Sequence, residues 1–126
     1  MIDQKSLNSF VTAEIDKLRD FMHTAPEQPA TESVLRLYCG DYFTIPGTKN
    51  HMRFTVSFFT AEKAGNDDRW VFDIDIEPLD KNHSTSAKVK LGNKEELTTF
   101  IDSLAASDLE EKISDLSDEC DRFYWP

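Results

Sequence analysis

Residues His51–Thr60, HMRFTVSFFT, and Arg69–Glu77, RWVFDIDIE, are the two stretches that decide the fold. In both of them, large apolar residues alternate with mostly polar ones. The alternating apolar positions are Met52, Phe54, Val56, Phe58, Trp70, Phe72, Ile74 and Ile76. A period of two residues is typical of β-strands that bury one face. We therefore predict two antiparallel strands whose apolar faces share one core.

A further strand over Ser84–Leu91 extends this sheet. The hairpin register that pairs Ile74 with Ala87 on the inner face also pairs Asp73 with Lys88 on the outer face. Both faces therefore agree on one register, which favours a β-meander.

The first strand of the meander is predicted over Ser33–Ile45. We expect its inner face to carry Leu35, Leu37 and Cys39. Tyr38 would then point outward. Because glycine within a strand often marks a bulge, we expect Gly40 to shift the alternation and turn Tyr42 inward.

Helical patterns flank the sheet on both sides. Apolar residues at steps of three and four predict an amphipathic helix over Asp3–His23. Asn93, followed three residues later by Glu96, resembles a capping box at the start of a second helix, and Asp108 is expected to cap a third. The chain is thus predicted to be a single α+β domain over residues 1–126, a four-stranded antiparallel meander of order αββββαα, covered mainly on one face by its helices.

Composition points to a water-soluble globular domain. Of the 126 residues, 39% are hydrophobic and 30% are charged, and no apolar run reaches the length that a bilayer requires. The N-terminus does not resemble a signal peptide, so we expect a cytoplasmic location and no membrane association. The two cysteines lack metal-ligand spacing; we expect a buried thiol at Cys39 and a thiol in the tail at Cys120 rather than a disulfide or zinc site.

The sequence carries no motif for catalysis or for a cofactor. Asp73, Asp75 and Glu77 alternate along one strand, where successive residues of one face lie about 6.6 Å apart, too far apart to enclose a metal ion. They are instead expected to form a solvated outer face, neutralised by Lys88 and Lys90. We therefore expect no metal, no cofactor and no enzymatic activity.

Negative charge is concentrated near the C-terminus. The formal net charge is −10, and residues 95–121 hold ten acidic residues against the single base Lys112. Such a field repels phosphates, which disfavours direct binding to nucleic acid or to an anionic membrane. It favours a basic protein partner, for example a toxin or an effector, although acidity also serves simple solubility.

The candidate partner-binding residues combine these acids with the outer sheet face and the C-terminal aromatic residues. They are Asp108, Glu110, Glu111, Asp115, Asp118, Glu119, Asp73, Asp75, Tyr38, Phe59, Tyr124 and Trp125. Aromatic residues are enriched at interfaces, yet those at the C-terminus could equally tuck against the domain.

In its general character, small and acidic without a catalytic motif, the chain resembles bacterial immunity proteins that inhibit nuclease toxins. That resemblance implies a protein that neutralises a basic partner, and the oligomeric state, monomer or homodimer, stays open. Three alternatives stay open: a secretion chaperone, which would usually be a dimer; a small-ligand module with a filled pocket; and a DNA mimic, whose carboxylates would be spaced like duplex phosphates.

Overall fold

The computed structural model describes residues 4–25, 34–59, 69–79, 85–91 and 93–124. Its elements in chain order are α1 (Gln4–Thr24), β1 (Val34–Cys39), β2 (Phe43–Thr44), β3 (Asn50–Phe59), β4 (Arg69–Pro78), β5 (Thr85–Leu91), α2 (Lys94–Asp102) and α3 (Ala106–Tyr124). The order of helix, strands and two helices confirms the predicted α+β class.

The sheet is an antiparallel meander of order β1-β3-β4-β5, and the short β2 pairs with β3 beyond the end of β1. Since β1 and β2 follow each other along the same side of β3, they act as one interrupted edge strand. Between β4 and β5, Ile74 pairs with Ala87 and Asp73 with Lys88, which confirms the predicted hairpin register.

The three helices and the inner sheet face share one apolar core. Phe10 of α1 lies 6.4 Å from Phe54 of β3, and Phe100 of α2 lies 6.2 Å from Phe72 of β4, both between ring centroids. The apolar residues at alternate positions of β3 and β4 are all buried in this core. Each large apolar side chain removed from water contributes roughly 1.5–3 kcal/mol, so the alternation quoted above is the main determinant of the fold.

The start of α2 follows the predicted pattern, and that of α3 does not. The side chain of Asn93 accepts a hydrogen bond of 2.8 Å from the backbone N–H of Glu96, as an N-cap residue does. Asp108, in contrast, is not the N-cap of α3, since the helix already begins at Ala106. Its carboxylate lies in the first turn, where negative charge is favourable to the helix dipole.

The facing predicted for the first strand is wrong at Tyr38, Cys39 and Tyr42, whereas Leu37 packs against the core as predicted. The register against β3 shifts between Arg36 and Tyr38, so the irregularity comes before Gly40. Tyr38 therefore turns inward and lies half-buried, with its ring 5.6 Å from that of Phe21 on α1. Tyr42, expected inward, is 46% exposed.

The predicted burial of Cys39 is wrong, and the predicted tail thiol, Cys120, lies in the core. Cys39 is exposed, whereas Cys120 is fully buried in the core beneath α3. The shift in β1 explains the first, because it moves Cys39 to the outer face. The amphipathic packing of α3 explains the second.

The outer face of the central strands is also less solvated than expected. Thr55, Val71 and Asp73 are buried, Asp73 with only 8% exposure. Asp75 and Glu77 are half-buried. The outer sheet face is therefore not the open, wet surface that the sequence predicted.

Candidate functional site

Helix α3 presents four carboxylates in a single row. Asp108, Glu111, Asp115 and Asp118 are spaced by three, four and three residues, so they follow one line along the helix, and all four are exposed. At 1.5 Å per residue, the row is about 15 Å long. We call these four residues the carboxylate row.

The opposite side of α3 fixes the row in place. Its buried apolar residues are Leu109, Ile113, Leu116 and Cys120. Because they recur at steps of three and four, they form the stripe that packs into the core beneath the sheet. The carboxylates must then point away from the core.

Polar contacts hold both ends of α3. Near its start, the side-chain amide of Asn8 on α1 donates to Glu110 at 3.3 Å. Near its end, the buried side-chain amide of Asn50 donates to Ser117 Oγ and to Asp121 Oδ1, each at 2.9 Å. A buried amide bonded to two partners resists displacement, since moving it would leave a donor unsatisfied.

Cys120 completes this buried contact. Its Sγ lies 3.7 Å from Asn50 Oδ1, to which it donates a weak hydrogen bond. Burial raises the pKa of the Cys120 thiol, and the negative charges of Asp121 and Glu119 raise it further. A thiol that stays protonated in the core acts as a packing group, not as a nucleophile.

No ion pair between described residues includes a carboxylate of the row. Among the residues that the structure describes, the ion pairs involve Glu14, Asp16, Glu77 and Asp102, and none includes a carboxylate of the row. Helix α3 carries seven acidic residues, against only Lys112 and Arg122 as bases. The potential along its exposed face is therefore negative.

Some of the residues predicted for the partner site adjoin this row, and others do not. Glu119 is exposed beside it, whereas Glu110 is half-buried and engaged by Asn8. Asp73, Asp75 and Phe59 belong to β3 and β4, outside helix α3.

Asp73 and Asp75 point away from the helices. They alternate along β4 with Phe72 and Ile74, which are part of the core that the helices cover. The row and the outer sheet face therefore lie on opposite sides of the domain and do not form one continuous surface.

Of the tyrosine and tryptophan candidates, Tyr38, Tyr124 and Trp125, only the side chain of Tyr38 is described, and it lies away from the row. Tyr38 lies beneath α1 on the inner face, with its hydroxyl 3.5 Å from Glu14 Oε1. Tyr124 is the last residue of α3, and its side chain, like the whole of Trp125, lies outside the described residues.

A second cluster, which the sequence did not predict, lies at the outer edge of the sheet. The ring of Tyr42 stacks on that of His51 with centroids 4.1 Å apart, and the Arg53 guanidinium lies 4.5 Å from the centre of the Tyr42 ring. Glu77 approaches His51 Nε2 at 3.5 Å and accepts from the Tyr42 hydroxyl at 3.5 Å. Only the pairing of β2 with β3 brings these residues together.

This outer cluster does not assemble a nucleophilic site. The exposed thiol of Cys39 accepts a hydrogen bond of 3.1 Å from Arg53 Nη1. Cys39 pairs with Thr55 of β3. Thr55 lies four residues from His51, which is about 13 Å along the strand. A cysteine nucleophile and its histidine base must lie within hydrogen-bond reach, and these two do not.

An apolar cavity of about 350 Å³ opens at the corner between α2 and α3. Its walls are Phe72, Ile74, Val89, Phe100, Leu104 and Leu109. Asp108 and Lys112 also line it, so the first carboxylate of the row borders its opening. The sequence does not predict this cavity, because it arises from how two helices meet the inner sheet face.

Within the described ranges, no helix combines the length and the apolar character needed to cross a bilayer. In the same part of the chain, no three histidine, cysteine or acidic side chains lie close enough together to hold a metal ion.

Comparison of the chain with protein-family models, with curated protein sequences and with solved structures finds no match in any of the three.

Proposed function

We propose that this protein binds a basic protein partner through the carboxylate row and thereby masks the partner's cationic surface, as an inhibitor of a basic toxin or effector would. The observation that carries this proposal is the exposure of four aligned carboxylates that make no ion pair within the described part of the chain.

Repulsion within the row supports the proposal. Each neighbouring pair, such as Asp108 with Glu111, is separated by three or four residues, where like charges destabilise a helix by roughly 0.2–0.5 kcal/mol. A cationic partner would replace that repulsion by attraction. The row is therefore a surface whose free energy falls when basic groups approach it.

The rigid mounting of α3 supports it as well. Because Asn50 and the apolar stripe fix the helix, the carboxylates are already aligned before a partner arrives. Preorganised groups lose less conformational freedom on binding, so more of the interaction free energy is realised as affinity.

The experiment compares two variants of equal charge. The row variant carries Asp108→Asn, Glu111→Gln, Asp115→Asn and Asp118→Asn. The control variant carries Asp16→Asn, Asp20→Asn, Asp41→Asn and Glu95→Gln. Each set removes four exposed carboxylates and includes one from the first turn of a helix, so both variants have the same net charge.

Wild-type protein and both variants are immobilised, exposed to a lysate of the source cells at low and moderate salt, and analysed by mass spectrometry. We expect one stoichiometric basic protein on the wild type and the control, lost from both as salt rises and absent from the row variant. Equal capture by the row variant and the control would contradict the proposal, since only total charge would then matter.

Association kinetics with the captured protein then measure the effect. Electrostatic steering raises association rates by about 10- to 1,000-fold, so we expect the row variant to associate at least about tenfold more slowly at low salt. The control variant should stay within about threefold of the wild type. An on-rate that is unchanged in the row variant would contradict a steering role.

A further inference from the structure

The cavity at the α2–α3 corner is built to hold an apolar group. Its floor is Phe72 and Ile74 of the inner sheet face, and its walls include Phe100 and Leu104 from α2 and the segment after it. Phe100, Leu104 and Val89 are only half-buried, so apolar surface remains in contact with water at the opening. Covering that surface with an apolar side chain is favourable.

The size of the cavity limits what it can take. A volume of about 350 Å³ lies at the low end of ligand pockets. The cavity has room for one large aliphatic or aromatic side chain and parts of the residues next to it in the chain. It has no room for a helix or a whole strand. Anchors of this kind, surrounded by charged contacts, commonly dominate the affinity of protein interfaces.

The charges around the cavity indicate what flanks that side chain. Asp108, the first member of the carboxylate row, lies at the opening, and the row continues from it for about 15 Å. An extended peptide covers that distance in about four or five residues. Lys112 is the one base and Asp108 the one acid among the described lining residues, so the preference for a cationic segment comes from the carboxylates that continue along α3.

We infer that the cavity receives one large apolar side chain from a basic segment of the partner, with the segment's cationic residues lying along the carboxylate row. This inference rests on the proposed function and adds the anchor that the row alone lacks. It specifies a partner segment with an aromatic or branched aliphatic residue followed, within about five residues, by several lysines or arginines.

The test uses two synthetic peptides that differ at one position. One carries a phenylalanine followed by four lysines, and the other carries serine in place of the phenylalanine. Binding is measured by fluorescence anisotropy at low salt. We expect the phenylalanine peptide to bind roughly tenfold more tightly or better, since burial of one aromatic side chain accounts for at least that factor.

Two substitutions close the cavity from different sides. Leu104→Trp fills it from the wall, and Ser103→Phe covers it from the exposed end of α2; thermal unfolding verifies that each variant folds. In either variant, we expect the phenylalanine peptide to bind only as weakly as the serine peptide. The row variant should weaken both peptides, and added salt should do the same.

The outcomes separate this inference from the proposed function. Equal affinity of the two peptides, with a salt dependence that the row variant abolishes, would overturn the anchor and leave the acidic surface intact. Failure of both peptides to bind would also overturn the anchor, while the lysate capture tests the proposed function independently. Tighter binding of dodecyltrimethylammonium than of the phenylalanine peptide, unaffected in the row variant, would assign the cavity to a small amphiphile instead.

Discussion

Strand β3 pairs very differently along its two sides. Toward β4 it forms ten consecutive residue pairs without an irregularity. On its other side it forms five pairs with β1 and two with β2, interrupted by the register shift after Arg36 and by the break at residues 40–42.

The difference arises from what each neighbour contacts. The side chains of β4 meet the same core as those of β3, so one alternation satisfies both strands. The edge strand contacts α1 instead. There the inward-facing Tyr38 lies against the buried carboxylate of Glu14 and the ring of Phe21. The side-chain facing of the central pair is thus determined by the alternation in its own strands. The facing of the edge strand is determined by contacts with α1, which is distant in sequence.

The largest expected effect tests the regular side of this comparison. Phe72 is 1% exposed and packs between Phe54 and Phe100, with ring centroids 5.6 and 6.2 Å away. We expect Phe72→Ala to lower the free energy of unfolding by about 3–5 kcal/mol, measured by urea denaturation.

The matched control is Asp75→Ala, on the outer face of the same strand. Asp75 is half-buried and pairs across the sheet with Arg53, so we expect a loss below about 1 kcal/mol. Similar losses in the two variants would mean that β4 does not divide into a core face and an outer face.

The features that could be predicted from the sequence lie on the regular side of β3. The β4–β5 register and the inner faces of β3 and β4 follow from alternation alone, because apolar burial is the strongest term acting on them. The predicted facing of Tyr38 and Cys39 is wrong because the alternation within the strand does not indicate its contact with α1. Glu14 of α1 is charged and yet only 1% exposed, which the helical pattern does not indicate.

The candidate site divides in the same way. The carboxylate row could be predicted, since spacings of three and four residues place side chains on one side of any helix. The cavity could not, because it depends on the corner between α2 and α3 and on Phe72 and Ile74 from a distant strand. The outer cluster around Tyr42 could not either, because the expected bulge turned that residue inward.

The next effect in size concerns Gly40 on the irregular side. A Cβ at this position would lie 2.5 Å from Glu14 Oε1 and 3.1 Å from the backbone oxygen of Phe54. We expect Gly40→Ala to destabilise the fold by roughly 1–3 kcal/mol, because buried Glu14 must move and the strand must shift. Denaturant unfolding of the purified variant measures this loss.

A double-mutant cycle identifies the cause. In a Glu14→Ala background, the one tight contact that remains is with the backbone oxygen of Phe54, so Gly40→Ala should cost at least about 0.5 kcal/mol less than in the wild type. An unchanged cost would attribute the requirement for glycine to the sheet alone and would remove α1 from the explanation of the edge.

The smallest effect is expected at Tyr38, and it depends on pH. Burial, followed by the negative charge of Glu14, raises the pKa of the Tyr38 hydroxyl from 10.0 to about 12. The folded state therefore holds this proton more tightly than the unfolded state, so the associated stability is complete below pH 10 and is lost as the pH rises to about 12.

Tyr38→Phe removes that dependence and should cost less than about 1 kcal/mol at neutral pH, because the hydroxyl lies 3.5 Å from Glu14, at the limit of a hydrogen bond. Urea unfolding between pH 8 and 12 should show a steeper loss of stability in the wild type than in the variant. Glu14 also raises the pKa of Lys17, so the wild type and the variant both lose stability as Lys17 deprotonates at high pH. The difference between the two profiles therefore isolates Tyr38. Parallel pH profiles would place the hydroxyl in water, and the edge strand would then face as its own alternation predicts.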